Sequence, residues 1–125
     1  MKKIHTDKAP AAVGPYSQAV EINGMIYTSG QIALDPATGE LVGETIEEQA
    51  EQVMKNLTAV LEAAGTDPGN AVKTMCFLTD IGDFAAFNEI YAKYFTGKPA
   101  RSCVEVSALP KGAICEVEVV AAAGE

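Results

Sequence analysis

From Tyr16 to Ile22 the chain alternates, with Tyr16, Gln18, Val20 and Ile22 set against Ser17, Ala19 and Glu21, the period of two that marks a half-buried strand. Asn23-Gly24 follows, then Met25-Ile26-Tyr27-Thr28-Ser29, and together these predict a β-hairpin closed by a tight turn. Residues 30–43 hold Asp35-Pro36 and Thr38-Gly39, which is turn chemistry and predicts a loop with a short extended piece. The period then changes. Ile46, Ala50, Val53, Met54, Leu57, Val60, Leu61 and Ala64 fall at steps of three and four, the apolar stripe of an amphipathic helix. Thr45 and Glu48 form a capping box ahead of it, Gly65 closes it, and Asp67-Pro68-Gly69 prevents continuation.

Ala71 to Thr79 is largely apolar on both faces, with Val72, Cys76 and Leu78 against Met75 and Phe77, and predicts a central strand covered on both sides. A second helix is expected from about Asp83 to Phe95, burying Phe84, Phe87, Ile90, Tyr91, Tyr94 and Phe95, with Gly97 as its stop. Two short strands end the chain, joined by a connection containing Leu109-Pro110-Lys111-Gly112. The order of strands, helix, strand, helix and strands predicts one α+β domain over residues 1–125, its helices on one sheet face. Two helices cannot cover both sides of a five- or six-stranded sheet, so the other face is expected to be buried by oligomerisation.

At 125 residues, 48% hydrophobic and 21% charged, the composition is globular. The net charge of −8 argues against a phosphate-backbone ligand, because nucleic-acid affinity rests on Lys and Arg neutralising phosphates. Met1 to Asp7 has basic residues without an apolar stretch behind them, so no secretory signal is expected, and no run is long enough for a transmembrane helix. Cys76, Cys103 and Cys115 lack C-x-x-C spacing and sit in strand-like runs. They are expected to be reduced core or site residues of a cytoplasmic protein.

Alternation in the last two strands puts Arg101, Cys103 and Glu105 on one face of the first, and Glu116 and Glu118 on one face of the second. The opposite faces, Val104 and Val106 in one strand and Cys115, Val117 and Val119 in the other, read as core. A polar site in apolar surroundings is implied, suited to a small anion with something hydrolysable attached. Arg101 offers a planar donor fork that matches a carboxylate, with about 1.5–3 kcal/mol per charged hydrogen bond. It would serve equally in a structural pair with a neighbouring strand's glutamate, and spacing alone does not separate the two readings. One of the two glutamates is expected to meet Arg101, where a carboxylate can hold a water and shuttle its proton. A solvated strand face suits Glu118 better than Glu116.

Cys103 has no base at hand, because the only histidine, His5, lies near the terminus. It is expected to line the site rather than to attack. One histidine and no clustered Cys/His speak against a metal, and no nucleotide-cofactor signature is present. Gly14-Pro15-Tyr16 and Thr28-Ser29-Gly30-Gln31 sit at opposite ends of the predicted hairpin strands. Tyr16 and Ser29 offer hydroxyls there, although turn geometry alone would explain these residues.

Several blocks carry a resemblance over essentially the whole chain. They are Ala9 to Gln18, Thr28 to Ile32, Pro36 to Glu40, Glu62 to Gly65, Val72 to Thr74, Asp83 to Asn88, Pro99 to Val106, Leu109 to Lys111 and Glu116 to Glu118. The sequence resembles the reactive intermediate deaminase (Rid/YjgF) family, and the Pro-Ala-Arg-Ser-Cys-Val-Glu-Val block is its most specific carrier. The resemblance implies a chorismate-mutase-like α+β fold with a five- to six-stranded mixed sheet. It also implies a homotrimer whose sheets pack as a central barrel, with a site in each of three intersubunit clefts. The implied reaction is hydrolysis of enamine and imine intermediates such as 2-aminoacrylate and 2-iminobutyrate to 2-keto acids and ammonia, without a cofactor. Arg101 would clamp the substrate carboxylate and Glu116 would position water. Tyr16, Ser29, Gly30, Asn88 and Cys103 would line the cleft, Cys103 mainly through its backbone. Residues 95–99 look shorter than in the family archetype, which bears on substrate size. Two other readings share these residues: a non-enzymatic 2-keto-acid-binding trimer, and an endoribonuclease or translation inhibitor.

Overall fold

The computed structural model describes residues 1–124. Asn23 and Gly24 both take positive φ, 51° and 76°, in the turn between β2 (Ala19–Ile22) and β3 (Met25–Thr28), so the predicted hairpin is present, with shorter strands. A strand that the sequence pattern did not reveal, β1 (Lys2–Ile4), pairs antiparallel with β2 at the sheet edge. Its lysines are exposed, and charge on an edge strand discourages pairing with other chains. The remaining elements are α1 (Ile46–Ala63), β4 (Ala71–Leu78), α2 (Phe84–Tyr94), β5 (Ala100–Glu105) and β6 (Cys115–Ala122). The strand order is β1-β2-β3-β6-β4-β5, antiparallel except for the parallel β4–β5 pair. The fold is α+β with a mixed six-stranded sheet and two helices.

Helix α1 starts at the expected capping box, in which Glu48 N–H donates to Thr45 Oγ1 and the Glu48 carboxylate accepts from Thr45 N–H, both at 3.1 Å. Its stripe packs on one sheet face, where Ile26, Cys76, Leu78, Cys115, Val117, Val119 and Ala121 are buried. Helix α2 adds Phe87, Tyr91 and Phe95 to the same core. Phe84 departs from its expected place in that buried stripe, since it is 38% exposed.

The second sheet face has no helix over it. Tyr27 and Val104 remain 40% and 39% exposed, and Met75, Phe77 and Val120 are half-buried. Tyr27, Met75, Phe77 and Val120 with Lys73, Thr28, Val119 and Glu118 line a concavity of about 470 Å³. Two expectations are corrected here. Val104 is not core in this chain, because alternation turns it to the open face beside Phe77. β4 is interior but not central, next to the edge strand β5, and within the chain the helices cover one of its sides; a register shift between Ala71 and Lys73 leaves Val72 exposed.

Loop 30–43 is pinned to α1 by a buried side chain. Asn56 Nδ2 donates to the carbonyls of Ile32 (3.2 Å) and Leu34 (2.9 Å), and its Oδ1 accepts from Gln52 (2.9 Å). Asn56→Leu leaves both carbonyls without their donor, and we expect a loss of about 2 kcal/mol in urea unfolding; an unchanged midpoint would contradict the pinning role.

Candidate active site

β4 lies between β5 and β6, and this fixes where the candidate residues point. Arg101 and Cys103 pair with Thr74 and Cys76 and share their helix-covered face. Glu116 and Glu118 pair with Phe77 and Met75 and share the open face. Arg101 is level with Val119 through Thr74, while Glu116 is level with Val104 through Phe77. The expected meeting of Arg101 with one of these glutamates therefore does not occur within the chain. The two groups lie on opposite faces, two strands apart and offset along them.

Arg101, the only arginine in the sequence, is half-buried against α2. Its Nη1 donates to Asn88 Oδ1 at 2.6 Å, a short charge-assisted bond, which joins two of the expected site residues. Its Cζ lies 4.7 Å from the Tyr91 ring centroid and 5.3 Å from that of Phe84. Neither ring was read as part of a site. Their signal was the spacing of Phe84, Asn88 and Tyr91 at i, i+4 and i+7, which core packing explains equally well. The recess here holds about 370 Å³ and is lined by Asn88, Tyr91, Arg101, Lys98 and Pro99 among others, so residues 95–99 shape its rim.

Glu116 belongs to a second recess, of about 380 Å³, with Tyr16, Ser29, Gly30, Pro110 and Lys111. Tyr16 and Ser29 line this recess together at the open end of the hairpin, where Ser29 Oγ donates to the Ser17 carbonyl at 2.6 Å. Gln18, wholly buried, ties the chain before Tyr16 in place: its Nε2 donates to the carbonyls of Thr6 (3.0 Å) and Pro10 (2.8 Å), and its Oε1 accepts from Thr6 N–H (2.7 Å). Beyond β3 the chain rejoins β6 through a Gln31–Val117 bridge, which lays Gly30 against Glu116. A Cβ on Gly30 would fall 2.6 Å from Glu116 Oε2, so only glycine lets the carboxylate lie there.

Burial raises the Glu116 carboxyl above the ordinary range, and the charge of Glu118 on the same face pushes it the same way. Glu118 itself is exposed, as its solvated-face reading anticipated. Burial also raises the Cys103 thiol, with Arg101 opposing, which favours the neutral form. The buried thiols of Cys76 and Cys115 are pushed up to about 12. Among the described residues no three His, Cys, Asp or Glu side chains are grouped to hold a metal, and no helix is long and apolar enough to cross a membrane. One recess thus holds a cation that can grip a carboxylate, and the other a partly buried carboxyl whose neutral form is favoured by its surroundings.

The family model described as Endoribonuclease L-PSP matches residues 6–123. The chain belongs to this family, the Rid/YjgF family that its motifs resemble. The 2-iminobutanoate/2-iminopropanoate deaminase of Mus musculus is 52% identical over 124 residues, covering 98% of this chain and 92% of that protein. A crystal structure of a putative endoribonuclease from Thermotoga maritima superposes with a TM-score of 0.96 at 47% identity, over 100% of this chain and 99% of that one. E. coli TdcF with bound serine gives a TM-score of 0.92 at 41% identity, covering 98% of each chain.

Glu118→Gln removes a like charge from beside Glu116 and should lower the pH at which Glu116 ionises, read from its carboxyl carbon resonance in a pH titration. An unmoved midpoint would show that burial alone sets it.

Proposed function

We propose that the chain hydrolyses reactive imines of 2-keto acids, such as 2-iminobutyrate and the imine of 2-aminoacrylate, to the keto acid and ammonia. We propose further that it does so as a cytoplasmic homotrimer with a chorismate-mutase-like arrangement of subunits. The observation that carries the reading is the division of the site into two half-sites on opposite sheet faces. One copy's Arg101 and Asn88 would face the next copy's Glu116, Tyr16, Ser29 and Gly30. A head-to-tail interface of this kind closes naturally into a ring. The uncovered apolar face, with Tyr27, Met75, Phe77, Val104 and Val120, supplies the surface that such packing would bury.

In this site Arg101 binds the substrate carboxylate through the donors that Asn88 does not occupy. The imine carbon is already electrophilic. On the imine protonated at nitrogen, Glu116 takes a proton from a water as its oxygen bonds to that carbon, giving a neutral carbinolamine. Glu116 then returns that proton to nitrogen, and as the C–N bond breaks and ammonia leaves, it takes up the hydroxyl proton, so that the carbonyl forms. An enamine must first take a proton at its terminal carbon to become the imine. Cys103 shares the Arg101 face of β5 and packs against the core, and the burial that raises its thiol favours the neutral form, which suits a supporting part better than attack. The mouse relative's name and the serine bound to TdcF, an amino acid with a carboxylate, support this reading. With a net charge of −8 and one arginine, the chain is poorly equipped for the RNA that the family name evokes.

With a threonine dehydratase generating 2-iminobutyrate and semicarbazide trapping it, the wild-type protein should suppress semicarbazone formation. Arg101→Ala should abolish the effect, and Cys103→Ser should keep most of it. Normal turnover by Arg101→Ala, or loss of activity in a folded Cys103→Ser protein, would overturn these assignments.

A further inference from the structure

We infer that Tyr91 and Phe84 are positioning residues for Arg101, their rings holding the chain's only guanidinium in the orientation in which it grips a carboxylate. The inference deepens the deaminase reading above and takes its substrate from it. Phe84, Asn88 and Tyr91 lie on one face of α2, one turn apart in sequence steps of four and three. Arg101 meets that face from β5. Its Cζ stands 4.7 Å from the Tyr91 ring and 5.3 Å from the Phe84 ring, both within cation–π range. Asn88 Oδ1 accepts from Nη1 at 2.6 Å.

The Tyr91 ring is itself held. Its hydroxyl is hydrogen-bonded to Thr74 Oγ1 at 2.7 Å, and Thr74 is wholly buried. Thr74 is also the residue paired with Arg101 between β4 and β5. The arginine's own strand partner therefore anchors the ring that the guanidinium lies on, and the register of one strand pair sets both. Aromatic rings against a guanidinium displace water without using its N–H groups, which stay free to donate in the plane. An arginine left flexible would lose rotamer freedom on gripping the ligand. Held in advance by two rings and Asn88, it loses less.

Because Arg101 is the only arginine, protein labelled with ¹⁵N-arginine gives a single Nε–H resonance that reports the rings through their ring currents. Wild type, Tyr91→Leu, Tyr91→Phe and Phe84→Leu are compared by that resonance, by titration with 2-ketobutyrate and by steady-state imine hydrolysis. In Tyr91→Leu the resonance should move toward that of free arginine. The dissociation constant for 2-ketobutyrate and the KM should each rise about tenfold, with kcat within about twofold, the pattern of lost ground-state positioning. Tyr91→Phe keeps the ring but loses its Thr74 anchor, and its three values should lie between those of wild type and Tyr91→Leu, closer to wild type.

An unmoved resonance and KM in both leucine variants would overturn the inference. So would a Tyr91→Phe protein as impaired as Tyr91→Leu, since the Thr74 bond and not the ring would then be the agent. Should Tyr91→Leu fail to fold, Phe84→Leu decides the matter alone, because its side chain is partly exposed and its removal leaves the core intact. Wild type that binds 2-ketobutyrate without hydrolysing imine would remove the deaminase reading only. The resonance and the binding constant would still judge the rings.

Discussion

The placement of β4 between β5 and β6 governs the rest of this molecule. Side chains on neighbouring strands at paired positions share a face, so Arg101 follows Thr74 onto the helix side while Glu116 follows Phe77 onto the open side. No rotamer of either side chain brings them together through an intact sheet. Each is instead stabilised locally. Aromatic rings and Asn88 hold the guanidinium, and the missing Cβ of Gly30 makes room for the carboxyl. Both groups are preformed within one chain, and under the proposed function each is one half of a site.

The open sheet face bears on the same point. A sheet with two helices on one side exposes apolar side chains on the other, and Tyr27, Met75, Phe77, Val104 and Val120 are those side chains here. Lys73, Ser102, Glu118 and Glu116 are scattered among them, with Lys73 Nζ donating to Ser102 Oγ at 3.3 Å. Such a mixed surface suits an interface with polar groups at its rim better than a wetted exterior. Under the proposed assembly, burial of this face and completion of the site are one event. Stability and activity would then depend on the same contacts.

The elements themselves were legible in the chain. Asn23-Gly24, the Thr45–Glu48 capping box and the stripe from Ile46 to Leu61 each carry their physical cause in a few adjacent residues. β1 was not legible, because Lys2-Lys3-Ile4 has too few residues for a period and its pairing with β2 is set by tertiary context. Arg101, Asn88, Glu116, Tyr16, Ser29, Gly30 and Cys103 were singled out in advance; the structure gathers Arg101 with Asn88 and Glu116 with Tyr16, Ser29 and Gly30, while Cys103 lines neither recess. The division between the groups could not be read, since alternation gives the faces of each strand but not the strand that lies between. Phe84 and Tyr91 were hidden for a related reason: a ring under a guanidinium and a ring in a core occupy the same helical spacing.

The central claim is that the working site joins Arg101 of one copy to Glu116 of the next. The direct measurement is subunit mixing. Arg101→Ala and Glu116→Gln proteins, each inactive alone, are unfolded together in equal amounts, refolded, and assayed for imine hydrolysis after native mass spectrometry has verified mixed oligomers. In a head-to-tail ring about a quarter of the sites would receive both intact halves, so the account predicts recovery to about a quarter of wild-type activity. Mixed oligomers with no recovered activity would contradict it.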